Sequence, residues 1–212
     1  MIDPRVSDML DLQTATLRGL GESMAQGGEL EALEAENKAL KMQILELERA
    51  ADTDPLLPLY NRRAFMREIN RARNVMGRYD IQSSIIYIDL DGFKTVNDRY
   101  GHAIGDEILR SVGTVLQSGV RDCDLVARLG GDEFGVLLFK TDEAIAKAKA
   151  SVLSCRIAEQ KITFPTGEIS ITASWGIATC ESEETADQIL ARADRAMYIA
   201  KKRKAARASA AA

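Results

Sequence analysis

Arg128-Leu129-Gly130-Gly131-Asp132-Glu133-Phe134 sets two glycines and two acids between apolar stretches. Leu125, Val126, Ala127 and Leu129 on one side and Val136, Leu137, Leu138 and Phe139 on the other read as buried strands, so the glycines punctuate a β-hairpin. A bare turn of this kind lets backbone come close to something bulky and anionic. Adjacent carboxylates on it repel one another unless a cation lies between them, and hard oxygen ligands favour magnesium or a similar ion. The other reading is an ordinary hairpin with solvated acids, since short motifs recur by chance.

Upstream, Ser84-Ile85-Ile86-Tyr87-Ile88-Asp89-Leu90-Asp91 is an apolar run ending in acids, followed by Gly92, Phe93 and Lys94. A strand at 83–89 would hold Asp89 rigidly at its end, where it and Asp132 can share one cation. Asn97 and Asp98 precede Gly101-His102-Ala103-Ile104-Gly105-Asp106, a glycine-punctuated lead into a helix expected from about Glu107 to Gln117. Asn97 and Asp106 suit a base edge: a carboxylate accepts from guanine's ring and exocyclic N–H groups, whereas adenine's ring nitrogen there is itself an acceptor. From residue 62 the expected order is helix, strand, helices through 117, the hairpin at 125–139, a helix at 142–160, a hairpin around Pro165 to Gly167, a strand carrying Trp175 within 169–178, and a last helix. Hairpins interleaved with helices predict an α+β domain, not a doubly wound parallel one.

These strings together resemble the GGDEF family of diguanylate cyclases, which condense two GTP into cyclic dimeric GMP. The resemblance runs from Asp54 to about Lys201. It begins with Asp54 through Arg63, where Leu57 and Pro58 replace the family's usual Thr and Gly, and continues through Asp89 to Asp98, Gly101 to Asp106 and Gly130 to Phe134. It implies a central antiparallel sheet of polymerase-palm type flanked by helices. It also implies that Asp89, Asp132 and the Leu90 carbonyl ligate magnesium, with Glu133 available to a second ion and manganese as a substitute. Asp132 would help deprotonate the attacking hydroxyl. Asn97 and Asp106 would hold guanine, Lys94 and the backbone of Gly92 and Phe93 would meet the phosphates, and Gly130 and Gly131 would leave room for the nucleotide. Lys201 would reach a terminal phosphate, but Lys204-Ala205-Ala206 stands where Gly-Arg-Asn is usual, so the matching arginine is Ala205, for which Arg203, Lys204 or Arg207 would substitute by position along the helix. Arg121-Asp122-Cys123-Asp124 matches the family's Arg-x-x-Asp inhibitory product site through Arg121 and Asp124, with Arg156 as a third member. A guanidinium stacks on and forks to guanine or phosphate, and a carboxylate accepts from the guanine edge; as a bare pattern, the pair is a surface ion pair of little worth.

A site that holds one GTP cannot alone build a two-fold symmetric product, so two protomers must face each other. Leu30, Asn37 and Ile44 at a positions and Leu33, Leu40 and Leu47 at d positions predict a parallel dimeric coiled coil over residues 29–52, its register fixed by Asn37. Glu36 at g can meet Lys41 at e of the partner. The alternative is one amphipathic helix packed on the globular domain. Val6, Leu10, Leu17, Leu20 and Met24 suggest a shorter helix within 1–28, set off by Gly27 and Gly28 and suited to receiving a regulatory protein. The catalytic domain is expected over 53–204, with a disordered tail at 205–212.

The length of 212 residues fits one core of about 150 residues plus a helical arm. No apolar stretch approaches a membrane span, and Met1-Ile2-Asp3-Pro4 does not begin a signal peptide, so a cytoplasmic location away from membranes is expected. The net charge of −4 argues against a nucleic-acid binder. Cys123, Cys155 and Cys180 are unpatterned and read as reduced thiols. His102 suits a turn or helix start better than a hard-oxygen metal site. The predicted activity is a homodimeric diguanylate cyclase using magnesium and restrained by its own product; the rivals are a catalytically idle reader of cyclic di-GMP or GTP and an interaction module switched by nucleotide.

Overall fold

The computed structural model describes residues 33, 36–43, 51–164 and 167–211, with side chains to residue 206. The chain divides into two units, Met1–Ala51 and Asp52–Ala212. In the first unit, α1 is helical at residues 36–43, and all its described side chains are exposed, Leu33 and Leu40 at 56% and 50%. The other heptad positions, Leu30, Ile44 and Leu47, lie outside the described residues, as do the expected helix within 1–28 and its two glycines.

The second unit runs β1 (Tyr60–Asn61), α2 (Arg62–Tyr79), β2 (Ser84–Asp91), α3 (Phe93–Tyr100), α4 (His102–Ser118), β3 (Leu125–Gly130), β4 (Glu133–Leu138), α5 (Glu143–Glu159), β5 (Ile162–Phe164), β6 (Gly167–Ile169), β7 (Thr172–Thr179) and α6 (Ala186–Ala211). The five-stranded sheet has the order β1-β3-β4-β2-β7, with β5 and β6 forming a separate ribbon. All its pairings are antiparallel except β1 with β3, so the expected antiparallel sheet carries one short parallel edge.

Strand β2 is central, and its alternation assigns each residue to a layer. Ile86, Ile88 and Leu90 pack with Ile108, Val112 and Leu116 of α4 and Leu153 and Ile157 of α5. Ile85 and Tyr87 face Phe65 and Ile69 of α2 and Ile189, Leu190 and Met197 of α6. Burying each such side chain contributes roughly 1.5–3 kcal/mol. The α2 helix starts where Asn61 Oδ1 accepts from Ala64 N at 3.0 Å, and α5 where Asp142 Oδ1 accepts from Ile145 N at 2.8 Å. Gly176 lets α6 lie directly on β7: a Cβ there would fall 2.1 Å from Met197 N and 2.2 Å from Ala193 O. This close approach carries the last turns of α6 over the acidic end of β2.

Several boundaries differ from those expected. β2 extends through both Asp89 and Asp91, because side chains from β7 and α6 satisfy these acids within the sheet. α4 begins at His102, so Gly105 and Asp106 lie inside the helix. The expected strand at 169–178 divides into the end of β6 and the whole of β7. The α6 backbone is helical to Ala211, past the expected start of a tail at 205. Trp175, half-buried, packs against the α4–α5 layer, and all three cysteines are free, with burial pushing the Cys180 thiol up to about 11.

Candidate active site

Asp89 and Asp91, two apart on one strand, project to the same side of β2, toward α6. Lys201 and Lys204, three apart on that helix, meet them. Lys201 Nζ donates to Asp89 Oδ1, and Lys204 Nζ lies 2.5 Å from Asp91 Oδ2 and 3.0 Å from Thr172 Oγ1. Asp91 also accepts from Thr172 Oγ1 and Ser174 Oγ, each at 2.7 Å. Burial acts to raise the Asp91 carboxyl, but Lys204 and the two hydroxyls hold it below the usual carboxylate range. Asp89 moves the other way: burial raises it, and the charges of Asp132 and Asp91 add to that against the pull of Lys201. Burial alone would lower Lys201, yet its bond to Asp89 and the neighbouring acids keep it above the lysine range. Asp89 is thus raised chiefly by its burial even with an ammonium on it.

The glycine turn delivers the other acids. Pairing shifts between Arg128 and Gly130, and Gly131 has φ +46°, so the chain crosses over sharply between β3 and β4. Arg128 fixes that turn, donating from Nε and Nη2 to Gly131 O at 2.9 and 2.8 Å and from Nη1 to Asp54 Oδ1 at 3.2 Å. Leu90 N donates to Asp132 O at 3.3 Å, and Glu133 stands directly opposite Asp89 in the β2–β4 register. The buried Tyr87 phenol is raised by burial and next by the Glu133 carboxylate it faces. Asp89, Leu90, Asp132 and Glu133 thus come together as the motif spacing requires. No three acidic, histidine or cysteine side chains among the described residues form a ready-made metal cage. Paired aspartates with backbone oxygen are the kind of donors a hard cation takes, and in this structure the Lys201 ammonium lies on Asp89.

Gly92 opens α3 with φ +74° and no side-chain cap, so the first amides of that helix are free to face an anion, and Lys94 is exposed on its first turn. Further along, Asn97 Oδ1 is buried without a hydrogen-bond partner. Such an orphan costs about 1–3 kcal/mol in an empty protein and is repaid when a ligand supplies the missing donor. Gly105 makes room for it, since a Cβ there would lie 1.9 Å from Asn97 Oδ1. Asp106 is the next residue, so α3 and α4 bring Asn97 and Asp106 to one place.

Residues 51–207 match the family described as "Diguanylate cyclase, GGDEF domain". The chain belongs to this family. It is 34% identical over 173 residues to diguanylate cyclase DgcP of Pseudomonas aeruginosa, a match covering 81% of this chain and 26% of that protein. It is 41% identical over 118 residues to DgcZ of Escherichia coli, covering 55% and 40%. The chain therefore spans well under half the length of these curated relatives. Among solved structures it resembles the coiled coil and GGDEF domain of DgcB from Caulobacter crescentus in complex with c-di-GMP, with TM-score 0.75 and 28% identity, covering 82% of this chain and 93% of that one. It also resembles diguanylate cyclase SiaD of Pseudomonas aeruginosa in complex with its activator SiaC, with TM-score 0.72 and 29% identity, covering 94% and 79%.

Away from the GGDEF turn, Asp124 closes the Arg121–Asp124 loop. Its Oδ2 accepts from Arg121 N and its Oδ1 from Phe139 N, both at 3.1 Å, leaving the Arg121 side chain exposed. Arg156 makes no side-chain hydrogen bond or ion pair with this loop among the described residues. Lys149 reaches the adjoining segment instead, donating to Gly119 O at 3.0 Å. Sequence reasoning missed Arg128, the pairing of Asp91 with Lys204, a lysine it had named only as a stand-in for the arginine absent at Ala205, and Asp52, which Arg67 grips at 3.0 and 2.7 Å and Arg63 at 3.0 Å. Only the position of Arg128, two residues ahead of the glycines, offered a signal. No described helix is long and apolar enough to cross a membrane.

Proposed function

We propose that this GGDEF chain is a diguanylate cyclase: it joins two GTP into cyclic di-GMP and releases two pyrophosphates, acting as a homodimer with one GTP per protomer. The observation that carries the reading is Asp89 standing opposite Glu133 and beside the Asp132 turn, with the orphaned Asn97 Oδ1 on the neighbouring helix. Asn97 and Asp106 take the guanine edge. The α3 amides after Gly92, with Phe93, Lys94 and Lys201, take the triphosphate, and Gly130 and Gly131 give it room. Asp89, the Leu90 carbonyl, Asp132 and Glu133 would hold magnesium, or manganese in its place. Bound there, divalent ions would lower the cost of charge developing on the attacking and leaving oxygens of an in-line displacement. Asp132 accepts the proton of the ribose 3′-hydroxyl as that oxygen attacks the partner's α-phosphorus. Pyrophosphate departs, and the reciprocal attack closes the ring.

The dimer is built through α1, whose exposed Leu33 and Leu40 belong to the heptad seam that Asn37 keeps in register. Arg121 and Asp124 bind the product and restrain the enzyme, with Arg156 or the better-placed Lys149 completing the site. A regulatory protein acting on the N-terminal arm supplies the input, in a cytoplasmic setting. A second reading, an idle effector that binds cyclic di-GMP or GTP without turnover, draws on one observation, Ala205 in place of the family's phosphate-binding arginine. Incubating the purified chain with GTP and magnesium, beside Asp132→Ala, decides between them. Cyclic di-GMP from the wild type alone supports the cyclase; product binding without any synthesis at high protein concentration supports the effector.

A further inference from the structure

The lysine pair on α6 has an asymmetry that the residues around it explain. Lys201 rests on Asp89, for which it is the side-chain donor. Lys204 rests on Asp91, which has two hydroxyl donors besides. We propose that Lys204 is a triphosphate-binding residue of this chain, held in store on Asp91 and transferred to a terminal phosphate oxygen when nucleotide binds, in the place that Ala205 cannot fill. The proposal rests on the cyclase reading and names a residue which that reading does not use.

Placement on the helix comes first. α6 is unbroken through this region, and at about 100° per residue Lys204 falls within about 60° of Lys201, whereas Arg203 points nearly the opposite way. Lys204 is thus the cation one turn beyond Lys201 on the face that meets β2. Its destination is adjacent: Asp91 is followed directly by Gly92, the uncapped start of α3, so the stored ammonium sits beside the amides that receive phosphate. Transfer is cheap on both sides. The Lys204 side chain is 51% exposed and carries a flexible point charge, so a change of rotamer costs little. Asp91 keeps Ser174 and Thr172 as donors after the lysine leaves and is not orphaned. The attraction also favours transfer, because a triphosphate presents several negative charges where Asp91 presents one.

The test is equilibrium binding to the full chain with magnesium present, using α,β-methylene-GTP, which cannot be cleaved at the reacting bond, and GMP, which has the same base and sugar but no terminal phosphates. Lys204→Ala should weaken the triphosphate analogue about tenfold or more, as loss of a charge-assisted contact does, and leave GMP unchanged. Lys204→Arg should restore most of the loss. Asp91→Asn should bind the analogue several-fold more tightly than wild type, because it removes the competing carboxylate. Equal losses for analogue and GMP in Lys204→Ala, or a loss in Asp91→Asn matching that of Lys204→Ala, would reduce Lys204 to a structural strut and overturn the inference alone. A wild-type chain that binds neither nucleotide would overturn the cyclase reading and the inference together.

Discussion

Arg128→Met tests whether the GGDEF turn is held from outside itself. The arginine is 15% exposed and spends three N–H groups on two acceptors, Gly131 O and Asp54 Oδ1. Methionine keeps the apolar stem and volume and removes every one of those bonds. The loss is smaller than the 3–5 kcal/mol typical of breaking a buried pair. Asp54 retains the amides of Leu56 and Leu57 at 3.0 and 2.9 Å, and Gly131 O lies on an exposed turn where water can reach it. About 2 kcal/mol is the appropriate scale, one charge-assisted bond and a fraction of another. For a domain of this size that lowers Tm by about 4–8 °C. Catalysis should suffer more than stability, because Gly131 immediately precedes Asp132 and a shift of about 1 Å at a reacting group costs on the order of 100-fold. Thermal denaturation and initial rates of cyclic di-GMP formation, both measured well below the variant's Tm, separate the two effects. Arg128→Lys, which can hold one acceptor but not both, should fall between. A variant with the expected drop in Tm and a wild-type rate would refute the claim that Arg128 positions the turn.

Three other outcomes follow from named contacts. Asn37→Leu removes the polar register mark from the α1 seam and should change oligomer number or broaden it, as light scattering coupled to gel filtration would record; an unchanged dimer mass with unchanged activity contradicts the seam. Arg121→Ala should leave the initial rate intact and straighten progress curves that otherwise bend as product accumulates; identical curves dismiss the inhibitory loop. Asp52, held below the usual carboxylate range chiefly by its hydrogen bonds to Arg67 and Arg63 against the cost of burial, contributes stability present above the unfolded carboxylate pKa of about 4 and lost as pH falls through its lower folded value. Asp52→Asn should therefore be less stable than wild type at pH 7 and converge with it in acid, and a gap that persists undiminished at pH 2 excludes the ion pair as its source.

The hairpin, β2 and the helices were legible because their information is local: apolar runs bounded by glycine, and period-2 or period-3.6 patterns that hold over many residues. What escaped was decided by distant residues. Asp89 and Asp91 read as the end of a strand because acids usually leave a sheet, yet Ser174, Thr172, Lys201 and Lys204 satisfy them where they stand. Gly101 to Asp106 reads as a loop, whereas Gly105 is a helical residue whose missing side chain accommodates Asn97. β1 spans two residues, too short for any periodicity, and exists through its pairing with Ala127 and Arg128. Asp54 lies 74 residues from Arg128 and Asp91 lies 113 from Lys204, beyond what motif spacing can reveal.

The departures at Leu57 and Pro58 gain a physical sense from the same nonlocal contacts. Leu57 and Leu59 are each 3% exposed and pack on α4 at Gly113, where a Cβ would lie 3.3 Å from Leu59 Cδ1 and 3.6 Å from Leu57 Cδ1. Pro58 between them fixes its own φ and narrows the choices of the residue before it. Asp52 is clamped to α2 on one side of this stretch, Asp54 is bonded through Arg128 to the turn carbonyl, and Asn61 caps α2 on the other side. The ten residues from Asp52 to Asn61 are therefore tied at both ends and plugged into the core in the middle, with no glycine among them. A Thr-Gly pair at 57 and 58 would leave slack there; Leu-Pro removes it. Any displacement carried along the backbone from residue 51 must either strain the Asp52–Arg67 clamp or pass through Asp54 and Arg128 to Gly131, one residue from Asp132. The stretch from Asp52 to Asn61 is mechanically a strut, with the GGDEF turn at its far end.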